Sequence, residues 1–224
     1  MDPGGLLKEL GMEAWSVARR ELTTGFKVHI RNRTEHVLVE NRDIQRQENF
    51  ITEEDDIITA FDIPPNLAYV LKGRSTGIFR TIKAAIGYDV VDKKDDIRCA
   101  VVILFEVPIR WPGDEWCNRL RIGIIPHSEN YETVCMDIGR HFAKILSDDL
   151  DGLKNEDAAY LLDYFSDYSE AGLFNRWREG VVGNYVERED TEQKIKIKAE
   201  MGTTHVTTIQ VSVETSPNQR RNLI

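Results

Sequence analysis

Hydrophobic and polar residues alternate in short runs along most of this chain, which is the pattern of strands with one buried face. The clearest run is 26–32, where Phe26, Val28 and Ile30 alternate with charged or polar residues. Segments with strand character are 26–32, 36–40, 56–61, 67–72, 78–91, 98–107, 119–125, 194–198 and 205–213. Turn-rich or charged stretches such as 73–77 and 92–96 separate them, and this spacing predicts an antiparallel β-sandwich.

Two segments instead follow the helical period. In 5–22, at about 100° per residue, one apolar side collects Leu6, Leu7, Leu10, Ala14, Val17 and Ala18. Lys8, Glu9, Glu13, Ser16, Arg19 and Arg20 fall on the opposite side. A helix of this length measures about 27 Å, close to the hydrocarbon thickness of a bilayer. The second segment, 130–147, carries one apolar stripe and is predicted to be a helix packed on a sheet.

The remaining chain completes a single predicted domain, residues 1–215, followed by a polar tail at 216–224. Residues 148–190 interrupt the strand pattern, and Ala158, Leu161, Leu162 and Phe165 predict a short amphipathic helix there. The predicted fold class is therefore mainly β. It is a compact antiparallel β-sandwich flanked by an N-terminal amphipathic helix and a second helix, with an additional helical insertion at 148–190.

An aromatic loop follows the most apolar strand. Residues 99–107 end at Pro108, and Trp111 and Trp116 follow within a few residues. Two tryptophans on one loop are typical of a surface that enters the headgroup belt of a bilayer. Aromatic residues are also common in cores, so packing of both rings beneath the loop is the other interpretation.

Composition narrows the possible partners. The chain has 224 residues and a net charge of −9, which argues against broad nucleic-acid binding. By its net charge an acidic protein is repelled by anionic lipid, so membrane contact is expected to favour neutral or zwitterionic headgroups. No apolar run reaches the roughly 20 residues of a spanning helix. No signal peptide is visible, so the chain is either cytosolic or the mature form of a secreted protein.

Catalytic and metal-binding motifs are not found in the sequence. The five histidines form no metal motif, and Cys99, Cys117 and Cys135 lack metal-ligand spacing. Residues 73–77, Gly-Arg-Ser-Thr-Gly, offer amides, a hydroxyl and the Arg74 guanidinium to a phosphate, but an ordinary hairpin loop is the favoured interpretation of them. The sequence predicts no enzyme, no cofactor and no metal.

Taken in order, these elements resemble the actinoporins, pore-forming cytolysins first known from sea anemones. The similarity covers about 5–147 and 192–213: the amphipathic helix before an alternating strand, the glycine-containing segment 73–77 leading into 84–90, the strand 100–108 with its aromatic loop and 116–121, and the C-terminal Met201-Gly202-Thr203-Thr204 with the strand behind it.

The resemblance implies a soluble monomer that is secreted and then acts on a target-cell membrane. It would dock on phosphocholine headgroups, usually with a preference for sphingomyelin, oligomerise, and insert its N-terminal helix to form a cation-permeable pore. The implied inserting residues are the apolar side of 5–22. The implied lipid-binding residues are Arg74, Glu106, Pro108, Trp111, Trp116 and Tyr131.

The chain also departs from the family. Glu106 stands where the family has a small hydroxyl, Cys135 and Met136 replace a pair of tyrosines, and the chain is acidic where the family is basic. These departures favour an alternative, a non-lytic lectin-like module that binds a glycan or a lipid on the same scaffold. The sequence leaves the ligand and the pore stoichiometry open.

Overall fold

The computed structural model describes residues 24–52, 61–76, 80–108, 118–147, 149–165, 184–202 and 206–216. The strands are β1 Gly25–Arg33, β2 Val37–Glu40, β3 Arg46–Glu48, β4 Phe50–Thr52, β5 Ala68–Ser75, β6 Ile82–Val91, β7 Ile97–Val107, β8 Arg119–Pro126, β9 Asn184–Asp190, β10 Ile195–Met201 and β11 Val206–Thr215. The helices are α1 Tyr131–Ser147, α2 Leu150–Lys154 and a 3-10 helix Ala159–Tyr164. The predicted inserting segment 5–22, the tryptophans of the aromatic loop and residues 217–224 of the tail lie outside the described residues.

Two sheets form a sandwich, which confirms the predicted fold class. The first sheet has the order β4-β5-β1-β11-β10-β9, and the second has the order β2-β6-β7-β8, with β3 also paired to β6. The pairs are antiparallel except β1 with β11, which run parallel from Gly25↔Val206 to Arg33↔Glu214. Strands from opposite ends of the chain have no short connection between them, so nothing forces a hairpin-like antiparallel pairing here.

The main core lies between the sheets, and β7 shows why its sequence is apolar throughout. Cys99, Val101, Ile103 and Phe105 point into this core. The intervening residues Ala100, Val102 and Leu104 point the other way, into a second core beneath the helices. Because both faces of the strand are covered, its side chains need no polar alternation.

The second core is formed by α1 on the outer face of the second sheet. Its buried stripe is Tyr131, Val134, Cys135, Ile138, Phe142, Ile145 and Leu146. This matches the predicted helix 130–147 almost to the residue. Among the described residues, no helix is both long and apolar enough to cross a bilayer.

The stretch 148–190 contains more than the helix predicted there. It contributes α2, the 3-10 helix with Leu161 buried, and a bridge between Phe165 and Gly123 of β8. It also contains β9, which the sequence analysis did not predict. In β9, Val186 is buried, and most of the other residues are polar or charged. This strand forms an edge of the first sheet and pairs with β10. An edge strand of this composition carries little hydrophobic pattern.

Candidate functional site

The residues that the resemblance assigns to lipid binding are distributed over three parts of the fold. Arg74 is exposed on the outer face of the first sheet, while Glu106 and Pro108 lie at the end of β7 in the second sheet. Tyr131 is the first residue of α1. In the register of β6 and β7, Lys83 pairs with Glu106 and Asp89 pairs with Ala100. Tyr131 contacts Asp89, so its position along the sheet is that of Ala100. Six residues of β7, about 20 Å, separate Ala100 from Glu106.

Tyr131 takes part in a buried polar cluster. Its side chain is buried, and its hydroxyl donates to Asp89 Oδ1 at 2.5 Å. Asn41 Nδ2 donates to the same oxygen at 2.6 Å. Burial, followed by the hydrogen bond and negative charge of Asp89, holds the pKa of Tyr131 well above its usual range. The ring therefore holds the start of α1 to the sheet, and the structure does not bring it together with Glu106 or Arg74.

Glu106 lies in a charged row at the opposite end of α1. Across the sheet its neighbours are Lys83 and Arg119, and Arg119 Nη1 lies 3.8 Å from Glu106 Oε2. The same guanidinium group donates to the Leu146 carbonyl at 3.5 Å. Glu106 Oε2 is buried without a hydrogen bond. Arg119 therefore links this carboxylate of β7 to the last turn of α1.

The predicted loop at 73–77 is wrong for its first three residues. Gly73, Arg74 and Ser75 belong to β5 and pair with β1 on one side and β4 on the other. The amides of Ser75 and Thr76 donate to the Thr24 and Asn49 carbonyls, both at 2.9 Å. Backbone amides that are already bonded within the sheet cannot cradle a phosphate. The Arg74 side chain remains available because it points outward.

A surface that the sequence analysis missed lies on the outer face of the first sheet. Its outward positions on β1 and β5 carry five cations and His29, with no carboxylate among them. We call this the cationic face: Lys27, His29, Arg31, Arg33, Lys72 and Arg74. Burial, then Lys27, then Arg31 lower the pKa of His29, as expected where cations surround an imidazole. The signal was present in the sequence, since the polar positions of 26–32 include Lys27, His29 and Arg31, but only the pairing of β1 with β5 assembles the face.

The other half of this sheet carries carboxylates beside its lysines. Lys196 pairs with Glu187 and Glu189, and Lys198 lies 2.7 Å from Glu214. Between the two halves is a shallow cavity of about 220 Å³. The side chains that line it include His29, Arg31, Tyr185, Lys198 and Gln210.

Apolar side chains are exposed before and at the start of β5: Phe61 is 53% exposed, Leu67 56% and Val70 38%. Val70 points outward beside the cationic face, whereas Tyr69, the preceding residue, packs on the core side of the strand. We call Phe61, Leu67 and Tyr69 the apolar patch. The Phe61 and Tyr69 rings pack edge to face with centroids 5.5 Å apart. Val70 pairs with His29 across the sheet. Large apolar side chains clustered at the surface indicate a contact with another molecule or a membrane.

A second cavity of about 540 Å³ lies where β8, β9 and the 3-10 helix meet. It is acidic, with Asp163, Glu189, Asp190 and Glu192 at its wall beside Tyr160 and Tyr164. Arg188, whose Nη2 donates to the Asp163 carbonyl at 2.7 Å, also lines it. Within the described part of the chain, no three His, Cys, Asp or Glu side chains are arranged to hold a metal ion.

The fold has solved relatives, although no family model and no curated protein match the sequence. The crystal structure of the lipid-binding protein Nakanori aligns with 92% of this chain and 79% of its own, at 10% identity and a TM-score of 0.51. A lectin from Xerocomus chrysenteron covers 85% of this chain and 99% of its own, at 9% identity and a TM-score of 0.32. The chain shares a β-sandwich fold with Nakanori. Because identity is so low, the likeness describes the fold and nothing finer.

Proposed function

We propose that this protein binds membrane lipid through its β-sandwich and then inserts its N-terminal segment to form an oligomeric pore. The observation that carries the binding step is the exposed apolar patch near the start of β5. The fold shared with a structure described as a lipid-binding protein supports it. In this proposal the protein is secreted and acts on the membrane of a target cell.

The apolar patch suits the interfacial region of a bilayer. Phe61 and Leu67 are each more than half exposed, so their apolar area is in water until a partner covers it. Aromatic and aliphatic side chains gain free energy when they enter the headgroup region, while nearby cations remain at its polar surface. Membrane docking would therefore bury surface that the folded protein leaves exposed.

The pore step rests on the pattern of 5–22. One side of this predicted helix is apolar, and the other is charged. A single inserted copy would expose its charged side to hydrocarbon, so several copies must line a water-filled opening. The sandwich begins immediately after this segment, since Thr24 Oγ1 donates to the Arg80 carbonyl at 2.8 Å. In this proposal the sandwich keeps its fold when 5–22 inserts.

The first test is vesicle sedimentation with Phe61→Ala/Leu67→Ala, using phosphatidylcholine vesicles with and without phosphatidylserine. We expect affinity to fall by about tenfold or more, because about 1.5 kcal/mol or more of apolar transfer is lost. The matched control is Met136→Ala/Leu150→Ala, which removes two similarly exposed apolar side chains from the helical side. Equal binding by both variants and the unmodified protein would contradict the role of the apolar patch.

Dye release separates the pore from docking. Leu10→Glu places a carboxylate on the apolar side of 5–22, and Ser16→Glu places the same group on the polar side. We expect Leu10→Glu to stop release without changing sedimentation, and Ser16→Glu to retain both. Binding without release by the unmodified protein would refute the pore and leave lipid binding intact.

A glycan-binding module is the second candidate function, and the cavity of about 220 Å³ favours it. An aromatic ring, Tyr185, stands there among hydrogen-bonding groups such as Lys198 and Gln210. A small site that combines an aromatic face with a few polar groups is typical of small-ligand recognition. A glycan array with Tyr185→Ala as the comparison distinguishes the candidates, since a lectin would bind sugars and lose them in this variant.

A further inference from the structure

We propose that the cavity of about 540 Å³ where β8, β9 and the 3-10 helix meet binds an organic cation through its ammonium group. It shares no lining residue with the apolar patch or with the smaller cavity on the first sheet, so its occupancy is independent of the proposed lipid docking. Its volume is that of a small-molecule site, for which the usual range is about 300–1,000 Å³. Tyrosine rings and carboxylates both line it, and both attract ammonium groups.

The walls of this cavity carry more negative than positive charge. The charged residues that line it are Asp163, Arg188, Glu189, Asp190 and Glu192. Glu189 Oε2 lies 3.9 Å from the Lys196 ammonium. Within the part of the chain that the structure describes, Asp163, Asp190 and Glu192 make no ion pair. Negative charge therefore remains in excess after Lys196 and Arg188 are each set against one carboxylate.

Hydrogen bonds hold the two acidic walls of the cavity in place. Asp190 Oδ1 accepts from the amides of Glu192 and Gln193, both at 2.9 Å, in the turn that follows β9. These donors are neutral, so the carboxylate keeps its charge. Arg188 Nη2 donates to the Asp163 carbonyl at 2.7 Å and ties β9 to the 3-10 helix. Because the walls are already connected, a ligand would bind with little cost in ordering them.

The exposed ring of the cavity belongs to Tyr160. Its side chain is 40% exposed, and its hydroxyl donates to Asp137 Oδ2 of α1 at 2.9 Å. Burial, followed by the hydrogen bond and charge of Asp137, raises the pKa of Tyr160 to about 12, so the ring stays neutral. Tyr164, the second ring, is partly buried against the core beneath the helices. A neutral aromatic ring among carboxylates offers an ammonium group a cation–π contact in addition to Coulomb attraction.

The lining of the cavity favours an organic cation over a bare metal ion. Hard metal ions take oxygen ligands at short range, and an aromatic ring offers them none. A space of about 540 Å³ instead has room for a carbon chain beside the ammonium group. Two sources carry this chemistry, a soluble polyamine and the headgroup of an aminophospholipid, and the two arms of the experiment distinguish them.

The first arm is isothermal titration calorimetry of the full chain with spermidine. Asp163→Asn/Glu192→Gln removes two exposed carboxylates at nearly constant shape, and Asp96→Asn/Glu132→Gln removes the same charge from exposed positions elsewhere. We expect the unmodified protein and this control to bind spermidine alike, and the cavity variant to lose on the order of tenfold in affinity. Tyr160→Leu removes the ring but keeps an apolar side chain, and should weaken binding about threefold.

The second arm is sedimentation with phosphatidylcholine vesicles, with and without phosphatidylethanolamine. If the ammonium belongs to a lipid, phosphatidylethanolamine strengthens binding and Asp163→Asn/Glu192→Gln removes the increase. If it belongs to a soluble amine, spermidine binds and phosphatidylethanolamine has no effect. Either result supports the ammonium site. Loss of vesicle binding in Phe61→Ala/Leu67→Ala with unchanged affinity for spermidine would show that the cavity and the apolar patch act separately.

Three outcomes would overturn this inference. The unmodified protein could show neither spermidine binding nor an effect of phosphatidylethanolamine, which would refute the site whatever the fate of the proposed lipid docking. Equal losses in the cavity variant and its control would assign the attraction to overall negative charge. Displacement of spermidine by Mg²⁺ at equal concentration of charge would indicate a layer of counter-ions. Urea unfolding verifies that each variant is folded, and Asp163→Asn alone repeats the test if the double variant is not.

Discussion

Tyr131 connects α1 to the second sheet through a hydrogen bond from its buried side chain to Asp89 of β6. Its hydroxyl and the Asn41 amide both donate to Asp89 Oδ1. The Cys135 thiol lies one helical turn further on, also buried. The resemblance assigned this tyrosine to a ligand, and in this chain its hydroxyl donates to Asp89. A buried acceptor that loses a donor costs more than the bond itself contributed.

Tyr131→Phe is expected to lower the free energy of unfolding by about 1–2 kcal/mol, because Asp89 keeps only Asn41 as a side-chain donor. Vesicle affinity should be unchanged, since the ring is buried away from both the apolar patch and the cationic face. Urea unfolding and vesicle sedimentation check the two parts. A loss of lipid binding with unchanged stability would return Tyr131 to the lipid-binding site.

Helix α1 lies very close to the turn before β3 at Gly139. A Cβ placed on this residue would overlap the carbonyl oxygen of Asp43, in the turn that leads to β3. Glycine therefore sets the distance between α1 and that turn. The contact also explains why a residue of low helix propensity occupies the middle of a 17-residue helix.

Gly139→Ala tests this contact with two opposing effects. Alanine is favoured over glycine in a helix by about 1 kcal/mol, but overlap with a backbone atom costs about 1–3 kcal/mol. We expect a net fall in melting temperature. Thr133→Ala, at an exposed position of the same helix, should leave it nearly unchanged. A more stable Gly139→Ala protein would mean that the turn yields easily and that α1 is not seated by this contact.

Each of the two cores contains one thiol. Cys99 lies between the sheets, and Cys135 lies between α1 and the second sheet. Burial raises the pKa of each thiol to about 12. Both are therefore protonated and inaccessible in the folded protein, and their reactivity reports the opening of the core around them.

In a Cys117→Ser background we expect neither remaining thiol to react with a disulfide reagent at neutral pH in the native state. With added urea, both should become reactive at the same midpoint, since the two cores share β6, β7 and β8. Mass spectrometry of the labelled peptides assigns each site. Earlier labelling of Cys135 would show that the helical layer opens before the sandwich does.

Periodicity predicted most of the fold because it reports burial directly. The alternation of 26–32 became β1, the run 98–107 became β7, and the helical stripe became α1. Segments with few buried residues were missed. The strands β3 and β4 have three residues each, and β9 is an edge strand. The candidate site was harder to predict than the fold. Arg74, Glu106 and Tyr131 lie in three different parts of the structure. The cationic face, in contrast, is formed by two strands that are distant in sequence and was not predicted.

The direction of each side chain is encoded along the chain, because successive strand residues point to opposite faces and helix residues three or four apart share a face. The sequence therefore established a β-sandwich with a helix on it, and a segment 5–22 with one apolar side. Pairing is not encoded locally. Only the tertiary structure set β1 between β5 and β11, which gathers the cations of two strands on one face of an acidic protein. The physical reason is that charge acts through space, so its effect depends on which strands become neighbours.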